Sequence, residues 1–351
     1  MTIPVMKPKL AKFEMAEPYL RLIDLNRIFT NYGPLVKQVE NRYANYLGVK
    51  AENVVALVNA TLAIQGCVQL SRVQKWAIPN FTFAATAHAV ALAGKDLQLV
   101  EVNATDWKIN LDYVPTKSIG VIPVMPFGSP VNIRDYSDWD YVVIDAAASL
   151  GSSLENIVEL GPNQFIVYSL HATKVLGAGE GSIVICGSED NARKLRAWAN
   201  FGFCETRESS FSGTNAKMTE FVAAYALAAL DQKDIEQAEW SKVLNFKGKL
   251  VEELKISNIS DLYPGFRPYW IFQVKDNMRS MIKNLNQNQI GNRTWWSTPI
   301  SCMPAFSQFK LLGGDSISLE LSTSLIGLPM WRDLSLKTVE KIVEVIEQSI
   351  E

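Results

Sequence analysis

The stretch Tyr168-Ser169-Leu170-His171-Ala172-Thr173-Lys174-Val175-Leu176-Gly177-Ala178-Gly179-Glu180-Gly181 lies between two short apolar runs, Gln164–Tyr168 and Ser182–Cys186. Runs of four to eight β-branched and aromatic residues, bounded by glycine, read as strands. The Gly-rich turn between these two allows the second to return antiparallel to the first. Upstream, the same kind of run recurs at Val54–Val58, Lys75–Ile78, Leu97–Glu101, Gly120–Val124 and Tyr141–Asp145. Helix-compatible segments such as Ala60–Leu70 and Thr82–Ala93 fall between them. Strands separated by helices require crossover connections, so the expected architecture is α/β, with a mostly parallel seven-stranded sheet covered on both faces.

Downstream of Asn215 the pattern turns helical. Met218, Phe221, Val222 and Tyr225 fall at helical spacing and predict one buried face. A long helical stretch, Asp234 to Leu254, bridges toward a second unit, in which Tyr269–Val274 and Ser318–Leu321 read as strands and Asn284–Arg293 as a surface loop. The last helix has Ser335 as its N-cap and Val339, Ile342, Val343 and Ile346 as its apolar stripe. A chain of 351 residues exceeds one ordinary core, which predicts a large domain over residues 1–232 and a smaller α/β domain over 233–351.

Composition narrows the function classes. Net charge is −2 with no Lys/Arg block, which argues against a nucleic-acid partner. No apolar run approaches the length of a membrane span, so no membrane association is expected. Met1 to Leu10 carries Pro4 and Pro8 and no apolar core, unlike a secretory signal, and the expected location is the cytoplasm. The scattered Cys67, Cys186, Cys204 and Cys302 read as buried free thiols, and no metal site is expected. With only His88 and His171 and no Gly-x-Ser-x-Gly, a Ser or Cys hydrolase has little to work with. His88, in an Ala-rich stretch, reads as structural.

In open α/β sheets, ligands gather beyond the carboxyl ends of the strands. Three strand ends carry chemistry. Asn59-Ala60-Thr61 opens a helix whose free N–H groups suit a phosphate, or simply an N-cap. Asp145 closes an apolar strand, where a carboxylate is costly unless it meets a cation such as a protonated pyridine, or caps the next helix. Lys174 follows Ser169 by five residues and precedes Gly177, Gly179 and Gly181. A free lysine, with a pKa near ~10.4, is a poor nucleophile, but an aldehyde cofactor can store it as an imine. The glycines let backbone pass close to a ligand, and they do not spell a dinucleotide fingerprint.

These segments, in this order, resemble the DegT/StrS-type sugar aminotransferases, members of the fold-type-I pyridoxal-phosphate enzymes. The resemblance runs from Thr30-Asn31-Tyr32-Gly33-Pro34 through Pro79-Asn80-Phe81-Thr82-Phe83, Pro126-Phe127-Gly128 and Asp145-Ala146-Ala147. It is most specific over Ser169 to Gly181, and continues through Gly213-Thr214-Asn215-Ala216-Lys217-Met218 to Leu328-Pro329-Met330. It implies a three-layer large domain and pyridoxal 5'-phosphate bound covalently to Lys174, which also moves the proton. It further implies Asp145 at the pyridine nitrogen, Phe83 over one ring face, and Ala60, Thr61 and Ser169 on the phosphate. Asn215 would reach the cofactor of a neighbouring copy, making the active unit a homodimer with shared sites. The implied substrates are an amino donor, glutamate, and a keto group on a nucleotide-linked sugar, as in amino-sugar or surface-polysaccharide biosynthesis; Tyr32 and Ser301 are the implied substrate contacts.

The chain departs from the family at three places. Ala148 stands beside the ring where relatives usually have His or Gln, Ser301 replaces a histidine, and Ser182 replaces a glycine. Two other readings stay open. A pyridoxamine-type sugar dehydratase would lack the lysine that this chain has, and a regulatory homologue would keep the fold without turnover.

Overall fold

Period-two alternation along the strands divides the molecule into layers. In a computed structural model describing residues 2–116, 118–152, 157–253, 267–274 and 278–350, successive residues of β1 (Val54–Leu57), β6 (Gln164–Ser169) and β7 (Ser182–Cys186) belong alternately to two separate cores. Val54, Ala56, Ile166, Tyr168, Ile183 and Ile185 face one core, and Val55, Leu57, Phe165, Val167, Val184 and Cys186 the other. Strands buried on both faces leave no polar side to their pattern, which is why they read as unbroken apolar runs.

The remaining strands of this sheet are β2 (Lys75–Pro79), β3 (Asp96–Val100), β4 (Gly120–Val121), β5 (Val142–Asp145) and β9 (Lys310–Leu312), in the order β1-β7-β6-β5-β4-β2-β3-β9. All neighbours run parallel except β7, which pairs antiparallel with both β6 and β1. Seven of the eight are the runs read from the sequence. The eighth, β9, comes from the C-terminal third of the chain and extends the edge beside β3. One face is covered by α3 (Ala60–Gln69), α4 (Ala84–Leu92) and α5 (Glu189–Trp198), through residues such as Ile64, Val90 and Leu195. The other is covered by α1 (Phe13–Asn26), α2 (Pro34–Leu47) and α6 (Glu220–Asp231), through Ile23, Val39, Tyr43, Ala223 and Leu227. The result is the expected three layers.

The second part of the chain holds a two-stranded antiparallel sheet, β8 (Trp270–Gln273) with β10 (Leu325–Leu328). It also holds α7 (Lys233–Glu253), α8 (Met278–Gln287), α9 (Ser316–Ser324) and α10 (Leu336–Ile350). Four local expectations are corrected here. Ser318–Leu321 is helical, because the Glu101 carboxylate accepts the first-turn N–H groups of Ile317 and Ser318 and the Ser318 hydroxyl, and so caps α9. Most of Asn284–Arg293 is not loop. α8 runs to Gln287, Leu285 is fully buried, and Asn284 is tied to Ser349 of α10 at 2.9 Å. Phe221 is exposed and stacks on the equally exposed Phe29 with centroids 6.1 Å apart, so it is not on the buried face of α6. Finally, Cys204 and Cys302 are exposed, whereas Cys67 and Cys186 are buried.

The N-terminal segment straps the two parts. Ile3 N–H donates to the Gln289 carbonyl, the Ile3 carbonyl accepts from Gly291 N–H, and the Val5 carbonyl accepts from Met330 N–H. On α7, Glu236 is buried and accepts from Leu176 N–H at 3.0 Å, Trp240 Nε1 at 3.3 Å and Arg332 Nη1 at 2.7 Å. Burial pushes its carboxyl above the usual carboxylate range, while Arg332 pulls it back. Among the described residues no helix is long and apolar enough to cross a membrane.

Removing one partner of a buried pair strands the other charge. Arg332→Leu is expected to cost about 3–5 kcal/mol of folding stability near neutral pH. A buried carboxyl whose pKa lies above its unfolded value opposes folding while ionised and is relieved as pH falls through that pKa. The loss in the Arg332→Leu variant is therefore smaller in denaturant melts at about pH 5 than at about pH 8. Equal losses at both would overturn the account.

Candidate active site

Parallel pairing puts the carboxyl ends of β2, β4, β5 and β6 along one edge, and β1, twice reversed through β7, ends on that edge too. The loops and helix starts that leave these strands meet in a cavity of about 430 Å³, within the range of small-molecule sites. Ala60, Thr61, Phe83, Asp145, Ala148, Ser169 and Lys174 all line it. The sequence separated these seven residues by more than a hundred positions; the sheet brings them together.

Asp145, the last residue of β5, is almost fully buried. Its carboxylate accepts from Thr86 Oγ1 at 2.8 Å and from Ala147 N–H at 3.2 Å. Burial raises its pKa, and those two hydrogen bonds and the nearby Lys174 charge hold it down. A carboxylate so placed favours a cationic partner within the cavity. Lys174 sits in the turn after β6, where Lys174 N–H donates to the His171 carbonyl and Gly177 N–H to the Lys174 carbonyl. A Cβ on Gly177 would lie 2.8 Å from the His171 carbonyl oxygen, so only glycine closes this turn. The Lys174 Nζ donates to Tyr269 Oη at 2.5 Å.

At the start of α3, Asn59 caps the helix by accepting from Leu62 N–H on its side chain and Ala63 N–H on its carbonyl. The amides of Ala60 and Thr61 are not used by this cap. With the helix dipole and the nearby Ser169 and Thr61 hydroxyls they form a cradle for an anion. The donor set is thus an anion cradle, a buried carboxylate and a primary amine in one cavity. It suits a phosphorylated cationic heterocycle bearing a carbonyl. Among the described residues no cluster of three His, Cys, Asp or Glu could hold a metal ion.

Three residues implied as site contacts do not line the cavity. Tyr32 donates its hydroxyl to the Arg196 carbonyl at 3.1 Å. Ser301 is held by its N–H on Asn80 Oδ1 at 2.8 Å, beside the end of β2. Asn215 is exposed, bridged to Asn200 in the loop before α6.

Conversely, the cavity has a wall that sequence reasoning missed: Tyr269, Trp295 and Trp296 from the second part of the chain, with Phe127 and Met6. Trp296 stacks on Phe127 with centroids 4.4 Å apart, and Tyr269 meets Phe127 and Trp295 edge-on at 5.6 Å each. The small Ala148 packs against this cluster. The available signal was the Trp-Trp doublet inside a polar stretch.

Residues 14–347 match the model of the DegT/DnrJ/EryC1/StrS aminotransferase family. The chain is 27% identical to a dTDP-4-amino-4,6-dideoxy-D-glucose transaminase of Shigella dysenteriae, over 98% of each chain. It is 26% identical to the protein of the same name from Escherichia coli, also over 98% of each. Among solved structures, DesI in the presence of its TDP-sugar product superposes with a TM-score of 0.84 at 23% identity, covering 99% of this chain and 92% of that one. The fold, the site and the family model agree: this chain belongs to the DegT/DnrJ/EryC1/StrS aminotransferase family.

Proposed function

We propose that the chain is a transaminase that uses pyridoxal phosphate, held covalently on Lys174, to move an amino group from glutamate to a keto group of a nucleotide-linked sugar. The observation that carries this reading is the meeting of Lys174, Asp145 and the α3 cradle in one cavity. The relatives named for dTDP-linked amino sugars support the substrate class. When bound, pyridoxal phosphate supplies an electron sink that stabilises negative charge at the carbon bearing the amino group.

The chain's own groups have separable roles. Asp145, oriented by Thr86 and Ala147, holds positive charge at the pyridine end, and Ser169, Thr61 and the α3 amides hold the phosphate end. The Lys174 Nζ moves the proton, with Tyr269 Oη fixing where that nitrogen rests. Phe83 covers one side from the start of α4, and the Trp295–Trp296 wall keeps water out of the other. Ala148 leaves room beside the ring for this wall.

We further propose a cytoplasmic homodimer in which Asn215 completes the site of the partner copy. Its exposure outside its own chain's cavity supports this, as does the exposed apolar surface of Leu22, Leu25, Ile28, Phe29 and Phe221.

Two outcomes test the reading. Borohydride reduction followed by mass spectrometry should leave the pyridoxyl mass on the peptide containing Lys174. The Lys174→Ala variant should lose at least about a hundredfold in transamination; full activity there would end the proposal. Mixing Lys174→Ala with Asn215→Ala chains tests the shared site. Each mixed dimer keeps one intact site, so random re-association should restore about a quarter of wild-type activity. No gain over the two parents would remove Asn215 from the partner's site.

A further inference from the structure

Arg293 is a charged part of the cavity wall to which the proposed transamination assigns no role. It lines the cavity and is exposed, and its guanidinium carbon lies 4.8 Å from the centroid of the Trp295 ring. Among the described residues no carboxylate lies within ion-pair distance of it. Stacking fixes the plane of a guanidinium while leaving its N–H edge for a ligand, and a planar fork suits phosphate oxygens.

The platform beneath it is built into the backbone. Arg293 is paired with Gly327 of β10 by two hydrogen bonds, its N–H on the Gly327 carbonyl at 3.0 Å and the reverse at 2.6 Å. A Cβ on Gly327 would fall 1.8 Å from Trp295 Nε1, so the indole lies where any other residue would put its side chain. The following Trp296 holds a φ of 49°, a left-handed conformation that costs a bulky residue free energy. The contacts form a chain: Lys174, hydrogen-bonded to Tyr269; Tyr269, edge-on to Trp295; Trp295, stacked under Arg293.

Resting on the proposed nucleotide-sugar transaminase, we infer that Arg293 and Trp295 form the subsite for the diphosphate of the sugar substrate. The order of groups in that substrate matches the order of this chain of contacts. The keto carbon must reach Lys174, the sugar ring comes next against the aromatic faces, and the diphosphate lies beyond it. The amino donor does not fit this spacing through its α-carboxylate, which is bonded to the carbon that carries the nitrogen. Arg293 is thus a specificity-determining residue for one of the two substrates that alternate in the cavity.

The test uses the pyridoxal-phosphate-loaded protein and two kinds of probe: nucleoside diphosphates (dTDP, with UDP and GDP on the wild type) measured by calorimetry, and glutamate measured by bleaching of the cofactor absorbance. Arg293→Gln should weaken dTDP binding by about tenfold or more, as expected for loss of a charge-assisted contact. Arg293→Lys should recover part of it, and Trp295→Ala should weaken it in an Arg293-dependent manner. The glutamate concentration for half-bleaching should stay in the wild-type range. If Arg293→Gln instead shifts the glutamate titration and spares dTDP, the arginine serves the amino donor and the inference is overturned. Unchanged dTDP binding in that variant, alongside measurable binding by the wild type, overturns the subsite alone. A wild type that binds no dTDP, UDP or GDP overturns the subsite together with the nucleotide-sugar reading, whereas a failed Lys174 test would leave these binding data standing.

Discussion

A carboxylate placed at the end of a fully apolar strand loses its water and must be compensated nearby. Asp145 is that carboxylate, and much of the large domain can be understood as its surroundings. Thr86 faces it because α4 packs against the same sheet face as α3, and Ala147 turns its N–H back because the chain leaves β5 in a tight bend. Two neutral donors and a lysine moderate the cost without removing it, and the carboxyl stays above its ordinary range. The site is therefore poised to favour positive charge before any ligand arrives, at some expense to the fold.

The second constraint is aromatic. Phe81, Trp107 and Phe127 from the large sheet side interlock with Tyr269, Leu321 and Leu325 from the second part. Rings packed edge-to-face resist sliding, because each sits in the shape left by its neighbours. This cluster joins the two parts, and its Phe127 and Tyr269 also line the cavity. Anything that shifts the small sheet shifts Tyr269 and, through it, the Lys174 nitrogen.

The sequence made the sheet and half of the site legible for one reason. A strand buried on both faces is an unbroken apolar run, and a polar residue at its end stands out: Asp145 after Ile144, Ser169 after Tyr168, and Lys174 just beyond. The other half was hidden because tertiary contacts alone decide it. α9 forms at Ser316–Ser324 because Glu101, far away in sequence, caps it, so local pattern pointed to a strand. β9 is three residues long and joins the sheet only by lying beside β3. Trp295 and Trp296 look like surface residues in a polar stretch until Gly327 and Phe127 are seen beneath them. Tyr32, Asn215 and Ser301 came from family order alone, and within one chain their polar groups are engaged elsewhere or lie outside the cavity.

The N-terminal strap sets a timetable for the growing chain. Ile3 and Val5 are made before any strand of the large sheet, yet their backbone partners are Gln289, Gly291 and Met330. Met6, carried by the same strap, lines the cavity. During synthesis the large sheet can assemble through β7 while the strap still waits for its partners. Residues made early are thus among the last to dock, and the cavity gains its full wall only after Met330 has emerged. When the chain has grown only through β7, the Thr86 and Ala147 partners of Asp145 already exist, while Tyr269, which places the Lys174 nitrogen, and the Trp295–Trp296 side of the cavity have yet to be made.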